Sequence, residues 1–367
     1  MLLNYLKNMI FSTSSKMITY ADYISTALYH PELGYYMKEG KKIGTGGDFI
    51  TSSNISDVYG RAVAKWYSEI VKEINLPAKV CELGAGNGRF ATAFIDEWKK
   101  LTDTPLTYFI VETSPYHRSI QQELIELGPV CQQISALDEI EPFSGMIFSN
   151  ELYDALPVHV IEKKDGEFSE IMVAESTGKL IELAVPLQNS QITTFLNEYD
   201  LELQEGQRIE IPLQMAEVVS AIAKTLEKGI VVTVDYGYTN EEWEEPSRRK
   251  GSLRGYFQHQ MVDNVLERPG EMDITSHVHF DALIKQGNER NLKFIAKLRQ
   301  DEFLLSAGIL DVLRDHFDPN PFSATSKRNR AIRSLIMPDG MSAAFHVIAQ
   351  AKGLDFPEER ILIERLS

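Results

Sequence analysis

Two cysteines in 367 residues, Cys81 and Cys131, are too few for a disulfide framework, and neither stands in a closely spaced Cys/His cluster of the zinc-binding kind. A reducing compartment is the natural reading. Positive charge is also scarce: 37 Lys and Arg against 53 Asp and Glu leave a formal net charge of −16. That field repels a phosphate backbone, so nucleic acid is not expected as a partner, whereas cationic ligands suit it. No apolar run approaches the ~20 residues that span a bilayer, and no membrane insertion is expected. The start Met1-Leu2-Leu3-Asn4-Tyr5-Leu6-Lys7 lacks the apolar stretch and small-residue cleavage site of a secretory signal. The expectation is a soluble, cytoplasmic protein. Organelle import is the minor alternative, because the residues before Asp22 hold several serines and no acid, although no arginine either. Internal repeats are absent, and nothing specifies an oligomeric state. The chain does have length and apolar content, with 43% hydrophobic residues. That bounds it as a main domain with additions, beyond the ~100–200 residues of one ordinary domain.

Periodicity organises the chain. Val58, Ala62, Trp66 and Ile70 recur at helical spacing between Ser56 and Ile74, and Asn75-Leu76-Pro77 ends that helix. Lys79–Leu83 reads as a buried strand, Gly84-Ala85-Gly86-Asn87-Gly88 as a tight turn, Arg89 to Lys100 as a helix and Thr107–Val111 as a second strand ending at Glu112. This is a parallel βαβ unit with a right-handed crossover. A helix around His117 to Leu127 and a strand Gly145–Ser149 running into Asn150-Glu151-Leu152-Tyr153-Asp154 continue the alternation. From Val158 to about Pro212 the segments become short and β-like, with a hairpin turn at Lys164-Asp165-Gly166. A helix from Met215 to Glu227 and the strand Gly229–Val234 then resume the α/β pattern. Glu241 to Lys250 reads as an exposed loop or lid, Glu302 to Phe317 and Ser326 to Ile336 as helices, and Ala344–Gln350 as a final edge strand. The expected fold is α/β and Rossmann-like, with a mostly parallel sheet, an N-terminal helical extension and an inserted antiparallel module. Its parts are an extension with a cofactor flap (1–55), a first core part (56–157), the inserted β-rich module (158–212) and a core continuation with substrate loops and C-terminal helices and strand (213–367).

In such a sheet ligands bind at the carboxyl ends of the strands, at the switch point, which centres attention on Gly84. Gly84, Gly86 and Gly88 fit G-x-G-x-G, whereas a dinucleotide fingerprint needs glycine where Arg89 stands. This spacing favours S-adenosylmethionine (SAM) over NAD. Glu112 is placed to accept both ribose hydroxyls, and Glu82 to face the cofactor's ammonium group. The plain alternative makes the glycines a simple turn and Glu112 a helix cap. Asp48 and Phe49, after Gly46-Gly47, suit a flap over the cofactor, although an ordinary surface loop fits almost as well. His277 and His279 flank Val278, but two ligands without a third make no metal site, so no metal is expected. His277 reads instead as a pocket or structural histidine, and Arg254 with Gly255-Tyr256-Phe257 as groove lining or core.

Seven separated motifs carry a resemblance from about Tyr20 to Lys352: Gly34-Tyr35-Tyr36, Gly47-Asp48-Phe49-Ile50-Thr51, Glu82 to Gly88, Val111-Glu112-Thr113-Ser114-Pro115, Asn150 to Pro157, Asp235-Tyr236-Gly237 and Gly270 to Val278. The sequence resembles the MidA group of methyltransferases, with Ala85 where many relatives have proline and Leu152 in place of a common phenylalanine. The resemblance implies the class I methyltransferase fold, SAM as cofactor, cofactor contacts from Glu82, Gly84, Ala85, Gly86, Gly88, Glu112, Asp48 and Phe49, and a protein substrate containing arginine. A mitochondrial member of the group dimethylates arginine symmetrically on a respiratory-complex subunit. Arginine arrives charged, with a pKa above about 12, so a carboxylate that forks onto the guanidinium is the natural catalytic group. Glu151 and Asp154 are the candidates, with Asn150 fixing the loop, although acids after a buried strand also serve as helix caps. Tyr153, Asp235, Tyr236, Arg254 and His277 are the substrate-side positions. The competing readings are a Rossmann oxidoreductase, a SAM-binding assembly factor without turnover and a small-molecule methyltransferase.

Overall fold

A computed structural model describes residues 1–40, 57–313, 320, 322–337 and 344–354. Two compact units alternate along the chain. An α/β unit comprises Ile50–Leu152, Val219–Tyr236 and Ile284–Ser367, and a β-rich unit comprises Met1–Phe49, Tyr153–Val218 and Gly237–Leu283.

The chain opens in the β-rich unit with helix α1 (Leu2–Ser12), strand β1 (Met17–Thr19) and helix α2 (Tyr20–Tyr29). Leu2, Leu6 and Ile10 fall on one helical face and are buried, and Thr19 starts α2 through a capping box with Asp22. In the α/β unit, α3 (Val58–Ile74) buries Val58, Ala62, Trp66 and Ile70 and stops where Asn75 turns left-handed at φ 49°. Next come β2 (Lys79–Leu83), α4 (Arg89–Leu101), β3 (Thr107–Val111), α5 (Pro115–Leu124), β4 (Cys131–Ile134) and β5 (Phe143–Asn150).

Period-two patterning then yields β6 (His159–Lys164), β7 (Glu167–Ser176), β8 (Lys179–Pro186), helix α6 (Ser190–Glu198) and β9 (Arg208–Ile211). Asp165 and Gly166 take φ 53° and 78° in the β6–β7 turn, the conformation a two-residue hairpin needs. Strand β7 pairs antiparallel with β8, and also with β6 and with β1 from the start of the chain. Helix α7 (Met215–Thr225) leads into β10 (Leu226–Tyr238), followed by α8 (Asn240–Trp243), β11 (Arg254–Phe257), β12 (Gln260–Val262), β13 (Asp273–Thr275), β14 (Val278–His279) and α9 (Phe280–Glu289). The described chain closes with β15 (Lys293–Arg299), α10 (Gln300–Ser306), α11 (Ala324–Ile336) and β16 (Phe345–Lys352).

The large sheet runs β15-β16-β10-β5-β2-β3-β4. Every pair from β4 to β10 is parallel, and β16 joins both β10 and β15 antiparallel. Strand order reverses at β2: the chain proceeds to β3 and β4 on one side, and β5 returns to the other. That makes the ends of β2 and β5 the switch point. One face is packed by aromatics on α3 and α4: Phe90 stacks on Phe148 at 4.4 Å, and Phe94 on Trp98 at 6.1 Å. Helices α3 and α4 approach closely enough that a Cβ on Gly60 would lie 2.7 Å from the Phe90 carbonyl.

Three expectations need correction. Strand β16 is interior, with β15 at the edge. The helix expected from Glu302 to Phe317 breaks at Gly308, which takes φ 79°, and a 3-10 turn follows at Ile309–Leu313. Glu241 to Lys250 is not a plain exposed loop, since Trp243 is 1% exposed and its carbonyl accepts the Gln207 side-chain amide at 2.8 Å.

Candidate active site

The turn after β2 exists because three glycines adopt left-handed φ: 66° at Gly84, 53° at Gly86 and 76° at Gly88, a region that penalises side chains with a Cβ. The Gly84 N–H donates to the Val111 carbonyl at 2.9 Å, which pins the loop to the end of β3. There Glu112 is buried, accepting the Gly86 N–H on one carboxylate oxygen and the Ser114 N–H on the other, both at 2.8 Å. Burial pushes Glu112 up to about 7 against the opposing pull of these backbone donors. The far side of the loop is held by Gln121, whose amide donates to the Gly86 carbonyl and accepts from Gln133. Sequence reasoning missed Gln121, because a polar residue on a helix face gives no sign that it is turned inward.

Glu82, expected to face the cofactor's ammonium group, has a partner within the protein. Its buried carboxylate accepts the Tyr108 hydroxyl at 2.7 Å, and burial, reinforced by the charge of Glu112 and opposed by the Tyr108 hydrogen bond, raises it to about 8.

Beyond β5 the backbone turns sharply. Glu151 takes φ 53°, uncommon for a residue with a side chain, and its N–H donates to the Val234 carbonyl of β10 at 2.9 Å. The Asn150 side-chain amide donates to the Glu151 carboxylate at 2.9 Å. This turn abuts the glycine loop, for a Cβ on Gly84 would meet the Leu152 side chain at 3.1 Å. Asp235 lies within β10, one residue beyond Val234, the register partner of Asn150. Asp235 is fully buried and accepts the Tyr236 N–H at 2.9 Å, while the Tyr236 ring meets Phe345 edge-on at 5.3 Å. Tyr59 in α3, which no sequence pattern singled out, is also fully buried and feels the charge of Glu151.

A loop of left-handed glycines at a switch point, with a carboxylate ending the next strand, is a nucleotide-binding geometry. The family model of S-adenosyl-L-methionine-dependent methyltransferases matches residues 62–296. The chain belongs to this family. Relatives include the protein arginine methyltransferase NDUFAF7 of Danio rerio, 26% identical over 94% of this chain and 85% of the relative. The Xenopus laevis protein of the same name is 27% identical over 94% and 83%. A Burkholderia thailandensis crystal structure with bound S-adenosyl-homocysteine superposes with a TM-score of 0.88 at 27% identity, covering 97% of this chain and 92% of that one. A native structure from the same organism gives 0.85 at 26%, covering 98% and 93%.

The methyltransferase therefore uses SAM, and its residues suit that group. A carboxylate offers about four acceptor positions, so Glu112 retains capacity for ribose hydroxyls beyond its backbone donors, and the glycines admit close backbone approach. One expectation falls. The named relatives are mitochondrial proteins, which overturns the cytoplasmic location. Free thiols and an acidic surface suit a reducing organelle interior equally well, so composition had no power to separate the two. Among the described residues no helix is long and apolar enough to cross a membrane.

The remaining candidates lie in the β-rich unit, except Asp48 and Phe49, which fall outside the described residues together with the expected flap. Asp154 is buried and accepts the Thr275 hydroxyl at 3.0 Å, while its backbone carbonyl accepts the Ser276 N–H at 2.9 Å. Tyr153 is buried one residue earlier. His277 stacks on Tyr238 at 4.4 Å, and the Arg248 guanidinium lies 4.1 Å from the centre of that same ring. Burial, with the nearby charges of Arg254 and Arg248, pushes His277 down to about 3, so it is neutral at physiological pH. Arg254 opens β11 and donates to the Ser252 carbonyl at 3.2 Å. His279 is fixed to the Glu210 backbone carbonyl at 2.7 Å and held near 4 by burial, a structural histidine.

Proposed function

We propose that the methyltransferase delivers its methyl group to a guanidinium nitrogen of an arginine side chain in a protein. Glu151 is the observation that carries this reading. Its carboxylate is held by Asn150 on a left-handed turn against the glycine loop. Backbone conformations of this kind cost about 1–3 kcal/mol and cluster where function requires them. The names of the relatives support the same acceptor.

SAM supplies an electrophilic methyl carbon on a sulfonium, and S-adenosylhomocysteine is the leaving group. Glu151 accepts two N–H donors of the guanidinium in a fork, which orients it and draws its positive charge away from the attacking nitrogen. As the N–C bond forms, that nitrogen loses a proton, for which Glu151 is the proposed acceptor. Asn150 fixes the rotation of the carboxylate. Asp235 and Tyr236, in β10 beside the partner of Asn150, are proposed to shape the acceptor side of the α/β unit. Asp154, bonded to Thr275, is proposed as a brace for the chain after this turn, and Tyr153, Arg254 and His277 as contacts for the protein substrate.

The test incubates purified protein with methyl-labelled SAM and an extract of cells lacking it, and maps the label by mass spectrometry. Label on arginine is expected, with Glu151→Gln slower by roughly 100-fold or more and SAM affinity retained. Label confined to another residue type sinks the arginine reading, and full turnover by Glu151→Gln removes that residue from the mechanism.

A further inference from the structure

Tyr59 sits in the first turn of α3, its side chain 0% exposed and its ring 5.8 Å from that of Phe90. Its hydroxyl has no hydrogen-bond partner among the described residues. A buried hydroxyl left unpaired weakens a fold, and phenylalanine would fill the same space without that penalty. The hydroxyl therefore does nothing for the packing that surrounds it. Its electrostatic neighbour is Glu151, whose negative charge adds to burial in keeping the phenol protonated well above its ordinary range. Tyr59 is thus a neutral hydrogen-bonding group at working pH and cannot serve as a base.

A second buried polar atom, at the Glu151 turn, shares this condition. The Asn150 Oδ1 is buried without a partner among the described residues, while Nδ2 of the same side chain holds Glu151. Tyr59 Oη, Asn150 Oδ1 and the Glu151 carboxylate are each able to accept a hydrogen bond. A guanidinium is planar, carries five N–H donors and has no acceptor of its own, so it matches this set.

We propose that Tyr59 is an acceptor-binding residue whose hydroxyl oxygen, with Asn150 Oδ1, receives N–H groups of the guanidinium that Glu151 holds. The assignment rests on the arginine reading. Three acceptors around one planar head fix which nitrogen faces the methyl carbon, and alignment of this kind is what an in-line displacement requires.

The variant is Tyr59→Phe in the full chain, assayed on the acceptor labelled by the wild type. The expected result is at least a tenfold lower kcat/KM, S-adenosylhomocysteine affinity within twofold of wild type, and a Tm unchanged or raised. Wild-type kcat/KM overturns the proposal. A Tm lowered by several degrees, with lost rate, also overturns it, because the hydroxyl would then be structural. A matching loss of S-adenosylhomocysteine affinity overturns it in favour of a cofactor contact. If the wild type labels a residue other than arginine, the guanidinium assignment fails, while the rate of Tyr59→Phe on that acceptor decides separately whether the hydroxyl is used.

Discussion

Glu82 and Glu112 are carboxylates buried near one glycine turn, raised to about 8 and about 7, in both cases chiefly by burial. Both folded values lie above those of the unfolded chain, so between roughly pH 4 and pH 8 the folded protein binds protons that the unfolded chain has released. Their protonated forms favour the fold at low pH, and stability falls as pH rises through that window. Thermal unfolding between pH 5.5 and 8.5 is expected to show a declining Tm, and Glu82→Gln, which keeps the shape without a charge, should flatten the decline. A Tm that rises over this range in the wild type, or an identical slope in the variant, contradicts the assignment. At this scale legibility was uneven. The glycine turn was readable because its chemistry is local: spacing alone distinguishes G-x-G-x-G from a dinucleotide loop. Spacing did not reveal that strand β3 brings Tyr108 to the Glu82 carboxylate, because that pairing runs across strands. Tyr59 and Gln121 were invisible for a related reason, since the polarity of a helical residue does not disclose that it is buried.

Among the elements, long or strongly patterned segments were readable and short ones were not. Helix α3 follows from four apolar residues at helical spacing, and β5 and β10 from apolar runs. Strand β15 was missed because its alternation is interrupted: the register with β16 shifts between Phe294 and Ala296. Three-residue β1 is too short to show a period, and only its pairing with β7 defines it. The junction of β5 and β10 is closely packed. Gly229 takes φ 144°, and a Cβ there would lie 1.8 Å from the Gly145 carbonyl. Gly229→Ala must push these central strands apart, so a loss of about 3 kcal/mol or more is expected in denaturant unfolding. Gly128→Ala, with nothing within 4 Å of the added Cβ, is the control and should unfold like the wild type. Equal stabilities for the two variants would show that the junction is looser than described.

For the whole molecule, the net charge of −16 acts on encounter more than on chemistry. A cationic arginine-bearing segment is drawn in over distances that salt shortens, from a screening length of about 14 Å at 0.05 M to about 6 Å at 0.3 M. KM for the protein acceptor is expected to rise several-fold across that range, with kcat little changed; a salt-independent KM would place recognition in short-range contacts alone. The alternation of the two units has a further consequence, for synthesis. A ribosome releases the chain from its N-terminus, yet β16, lying between β10 and β15, is completed only at Lys352. Until then β10 exposes an unpaired edge to the cell and β15 has no neighbour, so the large sheet closes only after Lys352 has emerged. A nascent chain halted before Phe345 lacks an interior strand, and its open sheet edge is the kind of surface that chaperones bind and aggregation propagates.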